Sequence, residues 1–101
     1  MARYHNYYVY ICCNRLRTVL YVGVTNDLDV RMTQHQNESY NHINSFCGRY
    51  KCHHLIYWEY YRSIHAAILR EKQIKRWSRK KKEELIRSQN PNWEFIKTSD
   101  Y

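Results

Sequence analysis

Tyr7-Tyr8-Val9-Tyr10-Ile11-Cys12-Cys13, then Val19-Leu20-Tyr21-Val22-Gly23-Val24-Thr25 after a polar link, is the stretch that decides the fold. Both runs are rich in β-branched and aromatic residues, which suit a pleated, half-buried surface. In the first, Val9 and Ile11 alternate with Tyr8 and Tyr10. In the second, Leu20, Val22 and Val24 alternate with Tyr21 and Gly23. The four-residue link Asn14-Arg15-Leu16-Arg17 predicts an antiparallel hairpin. Pairing Ile11 with Leu20 and Val9 with Val22 keeps the aliphatic side chains continuous. The same pairing sets Tyr10 opposite Tyr21 and Tyr8 opposite Gly23 on the other face. The hairpin therefore has an aliphatic face and a tyrosine face.

Working outward, Asn26 is a candidate N-cap for a helix from about Asp27 to Gln36, with Asp27 and Asp29 in its first turn. Glu38 to Arg49 is polar and irregular and reads as a loop. Leu55 to Tyr60 reads as a third strand. Ser63 caps a helix over Ile64 to Trp77, and Ser78 another over Arg79 to Gln89. Asn90-Pro91 stops the last one, because proline disfavours helical geometry in the residue before it. The expectation is an α/β (α+β) fold: a small three-stranded antiparallel sheet flanked by helices, in the order ββα-β-αα. One domain is expected over residues 1–101, with its core at about 7–95.

Composition narrows the function classes. Hydrophobic content of 44% excludes a disordered chain, and no stretch approaches the ~18 apolar residues of a membrane span. The N-terminal residues lack the pattern of a secretory signal, so a reducing, cytoplasmic setting with free thiols is expected. Cys12 and Cys13 are adjacent in a strand and point to opposite faces. Cys47 and Cys52, with His53 and His54, do not match a zinc-finger spacing. The charge is more telling. Seventeen Lys and Arg against nine Asp and Glu leave +8, concentrated between Arg70 and Arg87. A concentrated basic surface attracts phosphate backbones, although a solubilising helix face has the same look.

Two local anomalies point to chemistry. Ile64, Ala67, Ile68, Ile74 and Trp77 make an apolar stripe on their helix, and Glu71 falls within it. A carboxylate there needs a cation, a metal or a donor. Arg31 and His35 share a helical face with Leu28 and Met32, so both lean toward the sheet and its tyrosines. Arginine grips phosphate bidentately, and histidine donates to it or moves a proton.

Tyr8-Val9-Tyr10, Tyr21-Val22-Gly23-Val24-Thr25-Asn26-Asp27-Leu28, Arg31 and His35 together resemble the core of the GIY-YIG nuclease superfamily. Leu55 to Glu59, Ala67-Ile68, Arg70 to Lys75, Trp77, Asn90-Pro91 and Trp93 resemble its small stand-alone branch, related to the excision-repair nuclease. The resemblance runs from about Tyr7 to Phe95. It implies an endonuclease that cuts phosphodiesters, expected in DNA, with a divalent ion, Mg²⁺ or Mn²⁺. By position, Tyr10 and Tyr21 match the tyrosines that orient or deprotonate the attacking water. Arg31 matches the arginine that stabilises the transferring phosphate, and His35 a histidine that assists proton movement. Glu71 matches the metal carboxylate, and Asn90 an asparagine that holds the site together or simply caps its helix.

The chain departs from the pattern at Tyr8, where the first motif has glycine, and at the valines that replace isoleucine in both motifs. Arg49 stands where relatives often carry lysine. Arg49, Lys51, Lys75, Arg79, Lys80, Lys81 and Lys82 are the expected nucleic-acid contacts. A catalytically idle nucleic-acid-binding module of the same fold is the rival reading. A protein-interaction adaptor would leave the basic run unexplained.

Overall fold

The computed structural model describes residues 5–98. Its elements are β1 (Tyr7–Cys13), β2 (Leu20–Thr25), α1 (Leu28–Tyr40), α2 (Phe46–Tyr50), β3 (His54–Tyr61), α3 (Ile64–Lys75) and α4 (Arg79–Gln89). The sheet is antiparallel in the order β2-β1-β3, so the first tyrosine-rich strand is its centre. The expected α/β class and three-stranded sheet hold, with one helix more than the sequence suggested.

The hairpin register differs from the expected one by two residues. Ile11 pairs with Val22, Val9 with Val24, Tyr10 with Gly23 and Tyr8 with Thr25. The cause is the turn. The Asn14 side chain accepts from the backbone N–H of Thr18 and Val19 at 2.9 and 3.0 Å, holding Val19 in the loop. The link is thus longer than four residues. Because the slip is two residues, it preserves which side chains share a face. Val9, Ile11, Cys13 and Val22 pack with Ala67, Ile74 and Ile86 of α3 and α4. Tyr10 and Cys12 pack on the other face with Leu28 and Met32 of α1, Cys47 of α2, and Leu55.

A bulge in β3 opposite Ile11 and Cys12 completes this two-faced core. With one extra residue on β3, Ile56 and Tyr57 both serve the α3 side, while Leu55 serves the α1 side.

Helix α1 begins one residue later than expected. The Asp27 carboxylate, not Asn26, accepts from the Val30 N–H at 3.0 Å. The helix also runs four residues further, to Tyr40, where the Asn41 N–H closes on Asn37 O. Ser39 assists by donating to His35 O at 2.9 Å and to Cys47 O at 3.2 Å. The expected loop over Glu38 to Arg49 is therefore corrected: it holds the last turn of α1 and the short α2. Ser45 caps α2 and left-handed Lys51 (φ 58°) ends it. Gly48 is required here, since a Cβ would collide with the Ile43 carbonyl.

On α3, Ala67 and Ile74 are the buried positions, whereas Ile64 and Ile68 are exposed. The expected apolar stripe is thus narrower, and Glu71 lies at its margin. Beyond α4, Asn90 turns the chain back: its Nδ2 donates to Ile56 O at 2.9 Å and to Glu94 O at 2.8 Å. The Ile96 N–H then donates to Leu55 O at 2.7 Å, tying the tail to the start of β3.

Candidate active site

The tyrosine face of the hairpin meets the inner face of α1. Tyr10, on the central strand, projects onto His35, which α1 places two turns after its N-terminus. The Tyr10 hydroxyl lies 2.8 Å from His35 Nε2. Arg31, one turn before His35, directs its Nε to the same hydroxyl at 3.3 Å. Arginine only donates, so the Tyr10 oxygen accepts there and its own proton points to His35 Nε2. His35 Nδ1 then faces Glu38 Oε2 at 3.4 Å, and Ser45 donates to that same oxygen at 2.9 Å. The result is a directed chain from Arg31 through Tyr10 and His35 to Glu38. The glutamate fixes the imidazole with Nδ1 protonated and Nε2 as acceptor.

Glycine at position 23 is what admits this arrangement. A Cβ there would lie 2.5 Å from the Tyr10 hydroxyl oxygen. The expected register set Gly23 opposite Tyr8; the observed one sets it opposite Tyr10, whose ring fills the space.

Burial sets the electrostatics. Tyr10 is fully buried, and this desolvation pushes its phenol well above the ordinary range against the opposing pull of Arg31. Tyr10 is consequently neutral around neutral pH. For Arg31, burial lowers the pKa, but hydrogen bonding to Tyr10 and Tyr21 outweighs it and raises the net value. Its side chain is 31% exposed, so part of the guanidinium faces solvent. Another guanidinium nitrogen donates to Gln34 at 3.0 Å and lies 3.9 Å from Glu38.

Tyr21 sits beside this chain, its ring 6.2 Å from that of Tyr10 and 5.4 Å from that of His35. Unlike Tyr10, it is only half-buried. Phe46 of α2 leans on it at 5.7 Å and Lys75 of α3 lies 5.7 Å over it. Lys75 pairs with Glu71 at 3.0 Å. The structure therefore gathers Tyr10, Tyr21, Arg31 and His35, and links Glu71 to them through Lys75.

The remaining expected residues lie elsewhere. Asn90 is buried as the clamp of the C-terminal tail, bonded to Ile56 and Glu94. Arg79 ties α4 to the hairpin turn, donating to Thr18 O and Arg17 O at 2.9 Å each and pairing with Glu83. Lys81 lies 4.3 Å over the Trp77 ring, Lys82 is half-buried and Lys80 is exposed. Arg49 donates to Asn44 at 2.8 Å, and Lys51 is the α2 terminus.

Glu38, Ser45 and Cys47 are members of the site that sequence reasoning missed. Glu38 follows His35 by three residues, so a helix continued past Gln36 would have set it on the same face. Cys47 lies 3.8 Å from His35 Nε2. Its thiol is lowered from 9.0 to about 6, first by a hydrogen bond with Cys12, against burial, and then by His35.

A three-stranded sheet whose central tyrosine meets an Arg–His helix face defines a class. The chain belongs to the GIY-YIG catalytic domain family, whose model matches residues 6–84. It is also similar to the UPF0213 protein BH0048 from Bacillus halodurans, known from a solution NMR structure. The two share 27% identity over 94% of each chain, with a TM-score of 0.54. No curated protein matches the chain.

Proposed function

We propose that this protein is a divalent-metal-dependent endonuclease that hydrolyses phosphodiesters in DNA. The observation that carries the reading is the partly exposed Arg31 guanidinium, held by Tyr10 within the Arg31–Tyr10–His35–Glu38 chain and next to half-buried Tyr21. Neutral Tyr10 acts as a positioning residue: its oxygen fixes Arg31, and its proton is held by His35. Arg31 then presents donors to a phosphate without reorganising, which is where electrostatic catalysis gains most. Tyr21 lies beside it on the solvent side and is our candidate for orienting the attacking water. His35, backed by Glu38, is the candidate to take up a proton relayed through the tyrosines.

The carboxylate for the ion is Glu71. It is a hard oxygen donor, 20% exposed, and it lies beside the lysine that covers Tyr21. That donor suits Mg²⁺ or Mn²⁺, which accept one or two protein carboxylates and keep most of their waters. Such an ion, when bound, supplies charge neutralisation at the phosphate. Four free, buried thiols are in keeping with a reducing, cytoplasmic setting.

A catalytically idle nucleic-acid-binding module is the second reading, favoured by the pairing of Glu71 with Lys75. Nicking of supercoiled plasmid separates the two. Cleavage is expected with Mg²⁺ or Mn²⁺, lost on chelation and lost in Glu71→Gln with DNA binding retained. A folded wild-type protein that binds but never nicks establishes the idle module. Full activity in folded Glu71→Gln removes Glu71 from the site.

A further inference from the structure

Behind Tyr10, on the sheet face covered by α1 and α2, Cys12 Sγ, Cys47 Sγ and a ring nitrogen of His35 all lie within 4.8 Å of one another. All three residues are buried, at 0%, 2% and 1% exposure. Buried cysteines usually serve as small hydrophobes. This pair sits in a cluster with Leu28, Met32 and Leu55, yet both sulfurs also converge on one imidazole.

The geometry is close to that of a soft-metal site. With zinc bonds of about 2.3 Å to sulfur and about 2.0–2.1 Å to nitrogen, tetrahedral ligands stand about 3.6 Å (S to N) and about 3.8 Å (S to S) apart. The observed Cys47 Sγ to His35 Nε2 distance is 3.8 Å. Contraction of no more than about an ångström closes the rest. The imidazole is also prepared: Glu38 engages Nδ1, the arrangement that leaves Nε2 as the metal-facing lone pair. Two sulfurs and a nitrogen select the zinc class over Mg²⁺, which demands oxygen. This centre is therefore distinct from Glu71.

We propose that Cys12, Cys47 and His35 form a binding site for a thiolate-preferring divalent ion of the zinc class, and that its occupancy withdraws His35 Nε2 from Tyr10. Binding is a ligand substitution. The two thiols lose their protons to solvent, three protein–metal bonds replace metal–water bonds with the displaced waters released to solvent, and the Tyr10 hydroxyl loses its acceptor. No oxidant is involved. The inhibitory half rests on the proposed nuclease function; the binding half does not.

The test uses the full chain, reduced, with Co²⁺ as spectroscopic probe and Zn²⁺ as competitor. A one-to-one thiolate-to-cobalt charge-transfer band is expected, abolished by Zn²⁺, absent in Cys47→Ser and Cys12→Ser, and retained in Cys52→Ser. Glu38→Gln should weaken affinity by about 10–100-fold, as loss of such a ligand-orienting partner does. Should the serine variants misfold, the wild type suffices: Zn²⁺ should protect two thiols from alkylation. No band and no protection in the wild type overturns the site, as does a band undiminished in folded Cys47→Ser. For the second half, Zn²⁺ should suppress nicking, and a zinc-selective chelator should restore it. Zinc bound at the site with nicking unaffected overturns the inhibition. A protein that binds zinc but never nicks fails as a nuclease and leaves the metal site standing.

Discussion

Each face of the sheet carries a glutamate bonded into a tyrosine and arginine network, and the two are built differently. On the α3 side, Glu59 accepts from Tyr61 at 2.6 Å and from Tyr57, and Arg70 grips it through Nε and a terminal nitrogen at 3.0 Å each. Arg70 also lies 5.0 Å over the Trp77 ring. On the α1 side, Glu38 meets His35 at 3.4 Å and Arg31 only at 3.9 Å. The first network is closed, since its arginine is already bidentate on a carboxylate. In the second, Arg31 donates through Nε to a neutral phenol and keeps capacity for an anion. Bidentate carboxylate and bidentate phosphate recognition use the same guanidinium fork, so only an arginine without a fork partner is ready for a phosphate. The difference separates a structural network from a catalytic candidate without reference to any motif.

Removing the two arginines should break the symmetry most sharply. Arg31→Ala is expected to slow single-turnover cleavage by about 10²–10³, as for other preorganised electrostatic donors. Its effect on DNA affinity and thermal stability should be much smaller. Equal losses in rate and affinity would make Arg31 an ordinary phosphate anchor.

Arg70→Ala should do the reverse. It leaves Glu59, at 15% exposure, with phenol donors alone, and should cost about 1–3 kcal/mol of stability with cleavage by the folded fraction unchanged. The pH dependence follows from the carboxylate. Burial pushes Glu59 upward, but hydrogen bonds from Arg70, Tyr57 and Tyr61 outweigh it and hold it below the ordinary 4.5. A lowered folded pKa means that this stabilisation is complete above the ordinary value and is lost as pH falls through the folded one. The stability gap between wild type and Arg70→Ala should therefore be widest above pH ~5 and narrow in acid. Denaturant titrations at several pH values measure it; a gap that is flat or widens in acid would mean Glu59 does not owe its charge to Arg70.

What the sequence made legible follows the range of the forces involved. Period-two alternation in β1 and β2 revealed both faces, and period 3.6 put Arg31 and His35 against the tyrosines, because these depend only on neighbours in the chain. The hairpin register depended on Asn14 capping its own loop, and the last turn of α1 on Ser39 reaching Cys47, interactions invisible to periodicity. Glu38 was missed together with that turn. Glu59 and Arg70 lie eleven residues apart on different elements, and only the tertiary fold shows that they meet. The narrow buried stripe of α3 was also beyond periodicity, since the sheet beneath decides how much of a helix is covered.

The smallest expected effect concerns where affinity arises outside both networks. Four consecutive cations open α4, but they are not equivalent. Arg79 is held by two backbone carbonyls and Glu83, Lys81 covers Trp77, Lys82 is half-buried, and Lys80 is exposed. Each phosphate that the protein no longer neutralises on duplex DNA flattens the slope of log K against log[salt] by about 0.9. If α4 lies on the DNA path, Lys80→Gln with Lys81→Gln should flatten that slope by about the equivalent of one phosphate rather than two, since Lys81 is held over the Trp77 ring. Binding should weaken equally for all sequences, while the cleavage rate at saturating protein stays the same, because neither lysine touches the Arg31–Tyr10–His35–Glu38 chain. Salt titrations of both proteins on one duplex decide it. An unchanged slope would move the DNA path off α4, toward α2, where Arg49 and the capping Lys51 are exposed.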